Sequence, residues 1–122
     1  LEDIMTKVYA DIPENERPMM LMNTEVTDEN VEYYLGTTDI EYEEALASES
    51  MVGAIAHSVV LVRMKDRADI ESAKTKIKET VNPRKWIWVE AENVIVKAKG
   101  DLVVLIMSND LASRIEENFN NL

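Results

Sequence analysis

The stretch of residues 53–86 constrains the fold of this chain more than any other. Within it, residues 55–64 read IAHSVVLVRM, a β-branched and apolar run of strand length. Asp69 then offers a carboxylate that can cap a helix, and apolar residues follow it at spacings of three and four. The residue before a proline is pushed out of helical geometry, so Asn82-Pro83 ends the helix. The stretch predicts a buried or half-buried strand followed by an amphipathic helix from Asp69 to Asn82.

A second unit of the same kind follows near the end of the chain. Residues 93–97 and 102–107 are apolar runs on either side of Lys99-Gly100-Asp101, a pattern typical of an antiparallel hairpin. A final amphipathic helix is predicted from Ser108-Asn109 onward, with its apolar face formed by Leu111, Ala112, Ile115 and Phe119. A true internal duplication and a chance similarity both remain open as explanations.

The N-terminal part is predicted to be helical. Residues 2–12 carry an apolar stripe that ends before Pro13, and a second short helix over 28–35 has Thr27 as its N-cap and Gly36 as its stop. Residues 40–51 alternate in polarity and are interpreted as a strand that connects to the next one.

Together these elements predict one α+β domain over residues 1–122. It has a helical part over 1–38 and a ββαββα part over 39–122, with a four-stranded, mainly antiparallel sheet built from two ββα units. We expect both longer helices on one face of the sheet and the short N-terminal helices beside them.

The sequence offers little for catalysis or metal binding. It contains no cysteine, which excludes thiolate catalysis, zinc knuckles and disulfides. His57 is the only histidine, so a multi-histidine metal site is impossible, and on an apolar strand it is interpreted as structural. No phosphate-binding glycine loop is present. We therefore predict no catalytic residues, no metal and no cofactor.

Charge is distributed unevenly along the chain. The net charge is −11, and residues 1–50 contain 14 acidic residues against two basic ones. Such a balance argues against a nucleic acid partner, because phosphate binding needs a basic surface. Basic residues concentrate in residues 63–85, where Arg63, Lys65 and Arg67 are predicted to orient a partner or to pair with the acidic half.

Two apolar groups are the candidate binding residues. Met19, Met20 and Met22 could fill an irregular gap in the core or supply a yielding contact surface. Trp86 and Trp88 fall on one side of any extended segment, where they could pack on the core or bind a sugar or a peptide. These residues predict a non-enzymatic binding or interaction domain, as a monomer or a weak dimer. A carboxylate-dependent hydrolase and a dimerising structural domain are the alternatives.

The segments MVGAIAHSVVLVRMKD, VNPRKWIWVEAENVIVK and KGDLVVLIMS, followed by a final short helix, resemble the bacterial domain-of-unknown-function family 4358. The resemblance implies a secreted or lipid-anchored protein at the cell surface of a Gram-positive bacterium. It implies no activity and no site residues. Because the chain begins with Leu1, a removed upstream anchor is expected to be its contact with the membrane. An unknown protein, peptide or cell-wall ligand is the expected partner.

Overall fold

The computed structural model describes residues 1–86 and 89–122. Within these residues the chain forms four α-helices and five β-strands. The helices are α1 (Glu2–Val8), α2 (Val31–Leu35), α3 (Ile70–Thr80) and α4 (Ala112–Asn120). The strands are β1 (Leu21–Glu25), β2 (Tyr42–Ser50), β3 (His57–Met64), β4 (Val94–Lys99) and β5 (Leu102–Ser108). A short 3₁₀ turn, Glu14–Glu16, lies between α1 and β1.

The five strands form a single antiparallel sheet in the order β1-β2-β3-β5-β4. Both predicted hairpins are present, and β3 pairs with β5 at the centre of the sheet. The α+β class and the antiparallel sheet are confirmed, and so is the interpretation of residues 40–51 as a strand. The predicted number of four strands is wrong, because β1 adds a fifth within the part that was predicted to be helical. This strand has one neighbour and is mostly exposed, so its sequence lacks the alternation of a half-buried strand.

The longer helices lie on opposite faces of the sheet, and the prediction of a single covered face is wrong. Ala73 and Ile77 of α3 pack in one core cluster together with residues of α2. Ile115 and Phe119 of α4 pack in a second cluster together with residues of α1. Successive residues of β3 and β5 alternate between the two clusters, which is why both strands are continuous apolar runs.

The predicted helix boundaries are partly correct. The Asp69 carboxylate accepts from Ser72 N at 3.0 Å, which confirms it as the N-cap of α3. Gly36 has a left-handed φ of 82° and ends α2 as predicted. The N-cap of α2 is Asn30, because Thr27 belongs to a preceding turn in which its hydroxyl accepts from Glu29 N.

All four helices are shorter than predicted, α1 and α4 most clearly. α1 ends at Val8, although Tyr9 and Ile12 beyond it remain buried. α4 begins at Ala112, because Ser108 still belongs to β5 and its hydroxyl accepts from Leu111 N at 3.3 Å.

Candidate binding surfaces

Four methionine side chains are exposed at one edge of the sheet. Their exposed fractions are 70% for Met19, 68% for Met20, 54% for Met22 and 60% for Met51. Met51 N donates to the Met20 carbonyl at 3.0 Å, and the Ser50 hydroxyl donates to the Met19 carbonyl at 2.6 Å. These bonds hold the four residues, which we call the methionine edge, side by side. The interpretation of the first three as core filling is wrong.

Within residues 1–86 and 89–122, strand β1 presents unpaired backbone groups beside these methionines. Its ladder with β2 is antiparallel, and the bond from Met51 N to Met20 fixes which residues turn their backbone toward β2. Because such bonds alternate along a strand, Met20 and Met22 face β2. Leu21 and Asn23 direct their N–H and C=O groups away from the sheet, so this edge can accept another strand.

Lys85 lies among aromatic side chains on the face of the sheet that α2 and α3 cover. Its Nζ lies 4.3 Å from the ring centre of Tyr33, 5.1 Å from that of Tyr34 and 5.2 Å from that of Trp86. The ammonium donates to the Glu49 carboxylate, and the two side chains are only 6% and 13% exposed. We call Tyr33, Tyr34, Trp86 and Glu49 the aromatic cage.

The electrostatics of the cage follow from burial. Burial lowers the pKa of Lys85, although the neighbouring Glu49 carboxylate acts in the opposite direction. Burial also raises the pKa of Tyr33 and of Tyr34. The two tyrosine rings meet edge to face, with centres 5.0 Å apart and an interplanar angle of 82°. The cage therefore holds one buried cation between π-faces and a carboxylate.

The methionine edge and the aromatic cage adjoin each other. Met22 lies directly opposite Glu49 in the β1–β2 ladder, so their side chains are on the same face. Trp86 is 7% exposed, and its partner in the prediction, Trp88, lies outside the described residues. The structure thus brings two of the predicted binding elements, Met22 and Trp86, into one region.

Sequence reasoning did not find Tyr33, Tyr34, Glu49 and Lys85 as a group. They come from α2, from β2 and from the connection after α3, and no local spacing relates them. The one available signal was the adjacent aromatic pair Tyr33-Tyr34.

The predicted basic residues lie at the other end of the sheet. Arg63 pairs with Leu102 near the end of β3, whereas Glu49 pairs with Ser58 near its beginning. The Arg63 guanidinium lies 3.1 Å from Asp101 and 3.9 Å from Glu44. Lys65 and Arg67 follow in the turn before α3, where Arg67 has a positive φ of 65°. These three residues are therefore separate from the methionines and from Trp86.

Several ion pairs join the acidic first half of the chain to the basic segment of residues 63–85. They are Arg63–Glu44, Lys76–Asp39 and Lys85–Glu49. In these pairs the two oppositely charged parts of the sequence face each other. Only the last pair is buried, so the first two contribute little to stability.

A chain of buried polar side chains connects α1 to the sheet. The Tyr9 hydroxyl lies 2.9 Å from Ser48 Oγ and 2.7 Å from His57 Nε2. His57 Nδ1 lies 3.0 Å from Ser108 Oγ, which also accepts from Leu111 N. Burial lowers the pKa of His57 to about 4 and raises that of Tyr9 to about 12, so both are neutral at pH 7. Both imidazole nitrogens are occupied within the protein, which indicates a structural role for His57.

The same histidine borders a cavity of about 310 Å³ next to Met19. Ser108, Arg17, Glu16 and Asp110 also line it. The Arg17 guanidinium donates to the carbonyls of Ile12 and Tyr9 at 3.0 and 3.1 Å, and Arg114 lies 3.4 Å from Glu16. Glu16 and Asp110 are the carboxylates that line this cavity. The alternative of a carboxylate-dependent hydrolase stays a hypothesis.

Among the described residues, no group of three or more histidine or acidic side chains is arranged to hold a metal ion. No helix in residues 1–86 or 89–122 has both the length and the apolar character that crossing a bilayer requires. No protein-family model, curated protein or solved structure matches this chain. The resemblance to family 4358 therefore stays a prediction.

Proposed function

We propose that this chain is a non-enzymatic binding domain that pairs an extended segment of a partner protein with strand β1. The observation that carries the proposal is the methionine edge, four exposed methionines beside unpaired backbone groups. An added strand gains affinity from main-chain bonds and specificity from contacts with alternate side chains. Methionine suits such contacts because it is flexible and polarisable and adapts to different apolar partners.

The other edge of the sheet supports the assignment by contrast. Strand β4 carries Lys97 and Lys99, and the Lys78 ammonium donates to the carbonyl of Val94. Charged lysines on an edge strand prevent further strands from pairing with it. Strand β1, with the sequence LMNTE, carries no lysine. Of the two sheet edges in the described part of the chain, the β1 edge is the one that combines apolar side chains with backbone groups open to a partner.

The open part of this edge is short, which limits the length of the segment that it can pair with. The Asn30 side chain donates to the Glu25 carbonyl at 3.1 Å and so closes the far end of the strand. The outward groups of Leu21 and Asn23 remain, next to the exposed side chains of Met20 and Met22. A partner segment of about four to six residues fits this length.

The charge of the surrounding residues favours a basic partner. Residues 1–50, which include β1 and β2, contain 14 acidic residues and two basic ones. Opposite charge on the partner speeds encounter and selects against acidic segments. We therefore propose a segment with apolar side chains on one face and lysine or arginine among the others. Following the resemblance to family 4358, we place this interaction at the bacterial cell surface.

The probe that tests the proposal is an eight-residue peptide of alternating valine and lysine, compared with a peptide of alternating valine and glutamate. Asn23→Pro removes an outward N–H without removing a bond between β1 and β2, and Asn23→Ala keeps that N–H as the matched control. Asn23→Pro is expected to weaken binding of the lysine peptide at least about tenfold, because a backbone hydrogen bond is lost and the proline ring obstructs the edge. Asn23→Ala is expected to bind normally. Fluorescence anisotropy of labelled peptide measures this difference.

Equal affinity of the two variants, or binding of neither peptide by the unaltered chain, would contradict the proposal. Light scattering distinguishes the dimer alternative. A mass that doubles with concentration in the unaltered chain and in Asn23→Ala, but not in Asn23→Pro, would identify a second copy of the chain as the occupant of the edge.

A further inference from the structure

The surroundings of the Lys85 ammonium are unusual for a primary amine. Such an ammonium carries three N–H donors and is strongly hydrated in water. In the part of the chain that the structure describes, Glu49 is the hydrogen-bond acceptor of Lys85 Nζ. On its other sides the ammonium meets the rings of Tyr33, Tyr34 and Trp86. The site therefore offers one negative charge and three π-faces, which suit a cation that has no N–H donors.

A quaternary ammonium group has that chemistry, since its charge is spread over alkyl groups and it is attracted to aromatic faces. It would also keep the Glu49 carboxylate paired once Lys85 has left. A neutral ligand would leave that carboxylate buried without a counter-charge, which is strongly unfavourable. Charge balance thus restricts the occupants of the cage to cations.

We propose that the aromatic cage of Tyr33, Tyr34, Trp86 and Glu49 is a binding site for small quaternary ammonium compounds, and that Lys85 is a built-in occupant that the ligand displaces. The site lies beside the methionine edge, but binding there does not depend on a partner strand. The proposal therefore goes beyond the function proposed above.

The cage has a route to solvent and a lysine that can leave. Tyr33 is 54% exposed, so one wall of the cage faces solvent. Lys85 belongs to the connection between α3 and β4, outside any helix or strand, and its flexible four-carbon stem can turn outward without breaking a backbone ladder.

A second polar group adjoins the cage. Ser58 lies directly opposite Glu49 in the β2–β3 ladder, so the two side chains share one face of the sheet. The Ser58 hydroxyl is buried and has no hydrogen-bond partner within residues 1–86 and 89–122. Buried hydroxyls are usually bonded, so this group is a potential partner for a hydroxyl on the ligand. Choline carries a hydroxyl next to its quaternary ammonium and is a cation.

Lys85→Ala empties the cage. Lys74→Ala on α3 is the matched control, because the pair that Lys74 makes with Glu71 lies at the surface. Tetramethylammonium chloride is the simplest probe, with sodium chloride at equal ionic strength as its reference. We expect tetramethylammonium to raise the melting temperature of Lys85→Ala and to bind it at least about tenfold more tightly than the unaltered chain, where Lys85 competes. The double variant Lys85→Ala/Tyr33→Ala is expected to lose this response.

A second measurement uses the unaltered chain and so does not depend on the folding of a variant. Lys85 and Lys74 are acetylated with a limiting reagent and quantified by peptide mass, with Lys74 as the internal reference. Choline is expected to increase acetylation of Lys85 relative to Lys74, because displacement exposes the amine. If choline leaves that ratio unchanged, and Lys85→Ala responds to tetramethylammonium as it does to sodium, then Lys85 only anchors the connection to β2 and the proposal is wrong.

Discussion

The hydroxyl of Tyr9 lies 2.7 Å from Nε2 of His57, and this contact joins the segment after α1 to the central strand β3. Both side chains are almost completely buried, Tyr9 at 3% exposure and His57 at 1%. They form a polar chain with Ser48 and Ser108, in which the Tyr9 hydroxyl also contacts the Ser48 hydroxyl and His57 Nδ1 contacts the Ser108 hydroxyl. Buried polar networks of this kind are costly when one member is removed, because its partners lose their bonds in a medium without water.

Tyr9→Phe is expected to destabilise the domain by about 1–3 kcal/mol, because it leaves Nε2 of His57 and Oγ of Ser48 without their buried hydrogen-bond partner. The free energy of unfolding from urea denaturation measures the loss. Tyr42→Phe is the matched control, since the Tyr42 hydroxyl donates to Asp28 at an exposed site. A Tyr9→Phe variant no less stable than Tyr42→Phe would show that the buried chain contributes nothing.

Acid is expected to destabilise the domain through His57. Burial lowers the pKa of His57 from 6.5 to about 4, so between these values the unfolded chain binds a proton that the folded chain does not. The stabilisation is fully present above pH 6.5 and is lost as the pH falls toward 4, on the order of 3 kcal/mol in total. Urea denaturation across this range measures it.

His57→Gln provides the comparison, because the variant lacks the titrating group while the carboxylates are unchanged. The dependence of its unfolding free energy on pH should be shallower than that of the unaltered chain between pH 6.5 and 4. Parallel curves would mean that His57 does not titrate differently in the two states.

Gly36→Ala is expected to be strongly destabilising, by well over 1 kcal/mol. A Cβ there would lie 2.4 Å from the backbone carbonyl of Thr80, and the φ of 82° is itself unfavourable for alanine. Gly100→Ala has an unfavourable φ of 64° but no steric clash, since the space around Gly100 is open. Gly53→Ala has neither a steric clash nor a positive φ and should be neutral or slightly stabilising. Thermal melts of the three variants should rank in that order.

The Glu49–Lys85 pair is expected to show strong coupling. Removing one charge leaves the other buried without a partner, so Glu49→Gln or Lys85→Met alone should cost about 3–5 kcal/mol. Replacing both should recover most of that loss, because no buried charge remains. A double-mutant cycle measured by denaturation gives the interaction energy, and additive effects of the two substitutions would contradict a buried pair.

The sequence contained the signal for both ββα units. The continuous apolar run over 103–106 marked β5, and Asp69 with the spacing after it marked α3. The same run also indicated that both faces of the sheet are covered, since a strand with one solvated face alternates in polarity. The two longer helices accordingly pack on opposite faces of the sheet, and not on one face as predicted.

Other features could not be read from local pattern. Strand β1 was missed because Met22 to Glu25 shows no apolar alternation, which is normal for an exposed edge. The aromatic cage depends on contacts between residues that are distant along the chain, and α2 and β2 come together with Lys85 only in the folded sheet. Tertiary packing determines such contacts, and the periodicity of apolar residues in the sequence does not predict them.

The pairing of β3 with β5 has a kinetic consequence. These central strands are separated along the chain by α3 and β4, so the middle of the sheet forms only when a long loop closes. Loop closure costs entropy that is recovered only after the ladder is made, and such nonlocal pairing slows folding. Lys85 lies within this loop. Once Lys85 pairs with Glu49 of β2, the loop that must still close before β5 pairs with β3 is shorter. The ion pair therefore lowers the entropic cost of assembling the sheet.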